Sequence, residues 1–97
     1  MKPTEKQLAA LNRLWEIANK DSGQCKIVAK FLLGLYNGST YPFDLTDFRM
    51  LDTSIFIDCL TVLQMDFQPY KEVHELLNKT SGEFPDLAMQ WGIEEKA

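Results

Sequence analysis

Asp44, Asp47, Asp52 and Asp58 crowd the middle of the chain. Clustered carboxylates are the hard oxygen ligands with which a hydrolase holds Mg²⁺ or another divalent ion. Asp44, Asp47 and Asp58 are the set that a small metal-dependent hydrolase or ligand-binding protein would use. The same residues have a plainer reading. Asp44 and Asp52 stand where helix N-caps are expected, Asp47 falls in a first helical turn near the positive end of the dipole, and Asp58 lies on the narrow polar side of its helix. A single Asp-x-x-Asp with no Glu-x-x-His partner is a weak metal signature. Capping and solvation account for these residues better, and we assign no metal ligand, cofactor or catalytic residue.

The other reactive side chains are sparse. His74 is the one histidine, whereas zinc sites and acid–base pairs usually need a second His or a Cys close by. It reads as a surface or partly buried side chain. Cys25 and Cys59 fall among apolar neighbours in segments that read as helix, where free cysteine serves as a small buried hydrophobe. Only Lys26, next to Cys25, offers the cationic setting that thiol catalysis requires. Neither Gly-x-Gly-x-x-Gly nor Gly-x-x-x-x-Gly-Lys-Ser/Thr occurs, so the phosphate-cradling loops of nucleotide enzymes are missing.

A chain of 97 residues, 45% hydrophobic and 25% charged, fits one helical domain over 1–97, with a modest core and no room for a large internal cavity. Its net charge of −4 has the wrong sign for a phosphate backbone, so no nucleic-acid partner is expected. Basic residues gather in the first thirty positions and acidic ones after Asp44, which gives an ordinary dipolar solvated face. The charge is also too low to support a nucleic-acid mimic. The polar start, Met1 to Gln7, lacks the apolar stretch of a secretory signal, and Ile55 to Leu63 is far short of a bilayer span. A cytoplasmic protein with reduced cysteines and no membrane contact is the expectation.

The elements that must position these residues follow from periodicity. Thr4 and Gln7 form a capping-box pattern ahead of Leu8, Leu11, Trp15 and Ala18, which predicts a helix over 5–19. Asp21-Ser22-Gly23-Gln24 opens a second over 23–36, stopped by Asn37-Gly38. Gly34 inside it disfavours helix and makes sense where another backbone comes close. After the turn-rich Gly38 to Pro42, Asp44 caps a short helix over 45–50. The segment 55–67 leaves only Asp58, Thr61, Gln64 and Asp66 polar, so a helix apolar on most of its circumference is expected at the centre of the domain. Pro69 opens a further helix with Val73, Leu76 and Leu77, and Pro85 opens a last one with Leu87, Ala88 and Trp91, closed by Gly92. The fold class is all-α, a bundle of five or six short helices.

Asp21-Ser22-Gly23-Gln24, Val28 to Leu33, Tyr36-Asn37, Phe43-Asp44-Leu45-Thr46-Asp47 and Leu51-Asp52-Thr53, with Asp58, Leu60 and Val62, resemble a small family of Gram-negative bacterial proteins. That family is a domain of unknown function found in chromosomes and in phage- or plasmid-derived segments. The resemblance covers a little under half of the chain, and Phe43 to Asp47 followed by Leu51-Asp52 is its most specific part. It implies a bacterial, cytoplasmic, single-domain helical protein. It implies no activity, and no catalytic residue is carried over.

Two functions of different class remain. The first is a non-catalytic protein-interaction or regulatory module, with a protein partner or a second copy bound through the 39–50 loop and short helix. Tyr41, Phe43, Asp44, Asp47, Phe48 and Asp52 are its candidate binding residues, because function concentrates on loops. The second is the metal-dependent hydrolase or ligand-binding protein. Packing of Tyr41, Phe43 and Phe48 onto the second helix is expected over a fully exposed aromatic patch.

Overall fold

A computed structural model describes residues 2–80 and 82–96. Helix α1, Glu5–Ala18, starts on the Thr4 capping box. The Thr4 hydroxyl accepts from the Gln7 N–H at 3.1 Å, and the Gln7 amide oxygen accepts from the Thr4 N–H at 3.0 Å. Two of the donors that a helix start leaves unpaired are thereby satisfied. Helix α2, Gly23–Tyr36, is capped by Ser22, whose hydroxyl accepts from the Cys25 N–H. A 3₁₀ helix, Leu45–Met50, follows the loop, and α3 runs Thr53–Asp66, α4 Val73–Leu76 and α5 Glu83–Trp91. No strand occurs among the described residues, and none of their helices is long and apolar enough to cross a membrane.

The centre of the bundle is α2. It buries Cys25, Ile27, Val28, Ala29, Phe31, Leu32 and Leu33, and each fully buried aliphatic side chain contributes about 1.5–3 kcal/mol. One side of α2 meets α1, and α4, α5 and the 3₁₀ helix pack on the rest. Helix α3 was the expected centre, and the structure corrects that: it packs mainly on α1 and buries only Cys59, Val62 and Met65. Its opposite side, with Ile57, Leu60, Leu63 and Phe67, is exposed. An apolar circumference therefore marks a buried helix in α2 and a two-faced one in α3.

Polar bonds fix the layers to one another. Arg13 of α1 grips Asp58 of α3 with two bonds of 2.9 Å, the bidentate geometry that guanidinium and carboxylate share. Gln24 of α2 accepts from the Asp52 N–H at 2.6 Å and donates to its carboxylate at 3.2 Å, which ties the start of α3 to the start of α2. The Trp91 indole N–H donates to the carbonyl of Ala18 at 2.7 Å. One of the unpaired carbonyls at the end of α1 thus gains a partner from α5.

The C-terminal elements differ from expectation in their limits. Pro69 lies outside α4, which is a single turn opened instead by a Glu72–Glu75 capping box and ended by Asn78 at φ 58°. Pro85 is the third residue of α5 and does not open it. Gly92 does close α5, at φ 67° in the left-handed region, where the Ile93 N–H reaches back to the Ala88 carbonyl at 2.8 Å.

Gly34 is where the loop crosses α2. A Cβ at this position meets the Tyr41 carbonyl oxygen and the Phe43 Cβ, both at 3.4 Å. A single methyl just fits and a longer side chain does not. Gly34→Leu is expected to displace the 41–43 segment and lower stability by about 1–3 kcal/mol, while Gly34→Ala stays near neutral; urea denaturation of both variants checks this.

Both cysteines are free and buried, and burial pushes the Cys59 thiol up to about 12 from its ordinary 9.0. Because the folded value is the higher, the stabilisation is full below about pH 9 and is lost as the pH rises toward 12. Cys59 should resist alkylation in the native protein at pH 8 and react on unfolding, and mass spectrometry after a pulse of iodoacetamide reads the difference.

Candidate functional site

The six residues expected to bind are dispersed by the fold into three settings. Tyr41 is 3% exposed and belongs to the core, so it is packed down and takes no part in an exposed aromatic patch. Its hydroxyl donates to the Glu95 carboxylate at 3.0 Å. Burial is the main reason its phenol is harder to ionise than usual, with the Glu95 bond and charge adding to the effect. The Lys96 N–H also bonds the Thr40 carbonyl at 2.8 Å. Tyr41 and Thr40 therefore anchor the C-terminal segment and present no contact surface.

Asp44, Asp47 and Asp52 are occupied locally. Asp44 caps the 3₁₀ helix, accepting from the Thr46 N–H at 2.9 Å and from its hydroxyl at 2.8 Å. Those two bonds hold its carboxyl below the usual range. Asp47 pairs with Lys30 of α2 at 2.9 Å. Asp52 precedes α3 as expected of an N-cap, but its side chain makes no capping bond and accepts from Gln24 instead. With Asp58 committed to Arg13, the three carboxylates of the metal reading face three different partners. Among the described residues no group of three or more His, Cys, Asp or Glu is placed to hold a metal ion.

Phe43 and Phe48 form the third setting. They are half-buried and pack onto α2 through Phe31, at 5.7 Å from each ring centroid, and onto each other at 4.9 Å. Phe48 continues to Phe56 of α3 at 5.2 Å in an edge-on contact. Tilted and edge-on contacts of this kind stabilise by about 0.5–1.5 kcal/mol beyond area burial. The chain Phe43–Phe48–Phe56 is the floor on which a wider apolar surface rests.

Above that floor, Gly34, Leu35, Phe43, Leu45, Phe48 and Leu63 line an open groove of about 210 Å³. Leu63 also borders the next depression along α3, with Leu60, Gln64 and Phe67, and Phe48 borders a third, with Arg49, Leu51, Thr53 and Phe56. Shared walls make the three one continuous face. Leu45 is 73% exposed and Phe67 81%. The outer positions of α3, at Thr53, Phe56, Ile57, Leu60, Leu63, Gln64 and Phe67, carry no charge.

Leu45, Ile57, Leu60, Leu63 and Phe67 were missing from the expected site. Their signal in the sequence is the surplus of apolar residues in α3 over what one buried stripe needs. A more polar cleft of about 660 Å³ lies at the start of α2, beside Ser22, Gln24, Lys26, Lys30, Asp47 and Met50. There Ser22 caps its helix, Gln24 bonds Asp52 and Lys30 holds Asp47, so most of the polar groups on its walls are used within the fold.

His74 is half-buried and edge-on to Tyr36, with ring centroids 5.6 Å apart, and its Nδ1 has no hydrogen-bond partner. Nearby rings of Tyr36, Phe84 and Trp15 form an aromatic cluster at the other end of α2. No carboxylate or thiol hydrogen-bonds the imidazole among the described residues, and a nucleophile–base pair needs that contact.

No curated protein and no solved structure matches the chain. The match to a family model spans residues 8–92, which takes in nearly all of α1 and runs through the cap of α5, well beyond the segment over which the sequence resemblance was drawn. By that match the chain belongs to the Family of unknown function (DUF7673).

Proposed function

We propose that the protein is a non-catalytic protein-interaction module whose contact surface is the apolar face built by the 3₁₀ helix and the outer side of α3. One observation carries this reading: Leu45, Leu60, Leu63 and Phe67 are exposed on a continuous, mainly apolar surface, with Arg49 at its edge, that no element of the chain covers among the described residues. The largest contiguous apolar patch on a monomeric protein is often its interaction site. Phe43 and Phe48 serve as the rigid floor of the surface, and Asp44 and Asp47 hold the 3₁₀ helix in place without touching the partner.

The net charge of −4 speaks against nucleic acid as that partner. Two free cysteines suit a reducing compartment, so the cytoplasm is the setting we propose.

A photo-reactive side chain at position 67 tests the reading in cells that express the protein. Cross-links to protein are expected at Phe67 and not at Glu16, which is exposed on α1. Equal labelling at both positions, or none at Phe67, overturns the reading. Because Phe67 is 81% exposed, Phe67→Ser should shift stability by no more than about 0.5 kcal/mol, so loss of cross-linked partner in a neighbouring-site experiment with this variant reports binding and not unfolding.

A further inference from the structure

We propose that the apolar face of α3 is covered by a second copy of the same chain, with the two α3 helices antiparallel across a two-fold axis near Leu60 and Leu63. This rests on the interaction reading above and names its partner.

The order of residues along the helix is self-complementary. Phe56, Leu60, Leu63 and Phe67 follow one another at spacings of four, three and four, which places them on one stripe. Turning a second copy end for end sets Leu60 against Leu63 and Phe56 against Phe67, aromatic ring over aromatic ring at both ends. A two-fold contact of this kind uses the same patch on both partners.

The charges at the two ends agree with that direction. Arg49 is exposed beside Phe48, Thr53 and Phe56, at the start of α3, and it makes no salt bridge among the described residues. At the other end stand Asp66 and Glu72, close enough for the charge of Glu72 to act on Asp66. Antiparallel pairing opposes the two helix dipoles, whereas parallel pairing sets like ends together; it also brings Arg49 of each copy toward Asp66 and Glu72 of its mate, with the exposed Asp52 and Lys71 standing at the same two ends.

The area is sufficient. From their exposed fractions, Leu45, Ile57, Leu60, Leu63 and Phe67 with the half-buried rings beside them offer on the order of 600 Å² per copy. Two such faces bury at most roughly 1,200 Å², the lower end of the range for specific interfaces.

Sedimentation equilibrium across the micromolar range tests the pairing on the full chain. Wild type is expected to move from the mass of one chain to that of two, and Leu60→Asp to weaken association roughly tenfold or more with an unchanged far-ultraviolet circular-dichroism spectrum. For the direction, Leu60→Cys is expected to form an intermolecular disulfide under mild oxidation because it lies beside the axis. Phe67→Cys is expected not to, because its two copies stand roughly 16 Å apart along the pair.

A wild type that stays monomeric, a dimer indifferent to Leu60→Asp, or cross-linking at 67 and not at 60 each overturns the antiparallel pairing. If the wild type is monomeric while position 67 still captures another protein in cells, the pairing fails and the interaction reading stands. If position 67 captures nothing, both fail.

Discussion

A chain of 97 residues has a large surface for its volume, so it cannot bury every apolar helix it forms. Everything else in the structure follows from which helix it buries. Both α2 and α3 are apolar over most of their circumference. Helix α2 wins because other elements cover it on most sides: α1 before it, the 3₁₀ helix after it, and α4 and α5 from the C-terminal third. Gly34 permits the loop to lie directly on it. Helix α3 has only α1 to pack against closely, and its other face remains at the surface.

The polar residues do the work of registration. Ion pairs at Arg13–Asp58 and Lys30–Asp47, the Gln24–Asp52 pair and the Trp91–Ala18 bond each join elements far apart in sequence. With Arg13 more than half exposed, such a pair adds little to stability. What it supplies is position: α3 is held at a fixed rotation on α1, with Cys59, Val62 and Met65 inward and the stripe from Phe56 to Phe67 outward. Aspartates that look in the sequence like a ligand set are thereby used as structural links.

Much of this was legible beforehand. The Thr4–Gln7 capping box, the cap signal in Asp21 to Gln24, the Asn37-Gly38 stop and the closing Gly92 are local signals, and local signals fix the limits of α1 and α2 and the end of α5. Gly34 as a close approach was also readable, since glycine disfavours helix without such a reason. The role of Tyr41 was not, because its partner Glu95 lies far off in sequence and only the fold brings them together. Nor was the outer face of α3. Hydrophobic periodicity reports how much of a helix is apolar, and the number of covering elements, which decides how much is buried, is a property of the whole chain. The signal was present as a mismatch between two apolar helices and one available centre.

The same mismatch separates the residues that stabilise this fold from those that need another explanation. Stability requires the inward stripe of α3, which the anchor to Arg13 holds in position, and both would survive polar residues at 57, 60, 63 and 67. Solvent-facing helix positions ordinarily carry Lys, Glu or Gln, which are good helix formers and keep the chain from associating. Here the β-branched Ile57 and the aromatic Phe67 occupy such positions, although neither favours the helix and both favour association. Folding gains nothing from that choice. A surface that departs from the preferences of its own helix, in the direction of lower solubility, is not explained by the packing of the monomer, and the proposed interaction supplies a reason for it.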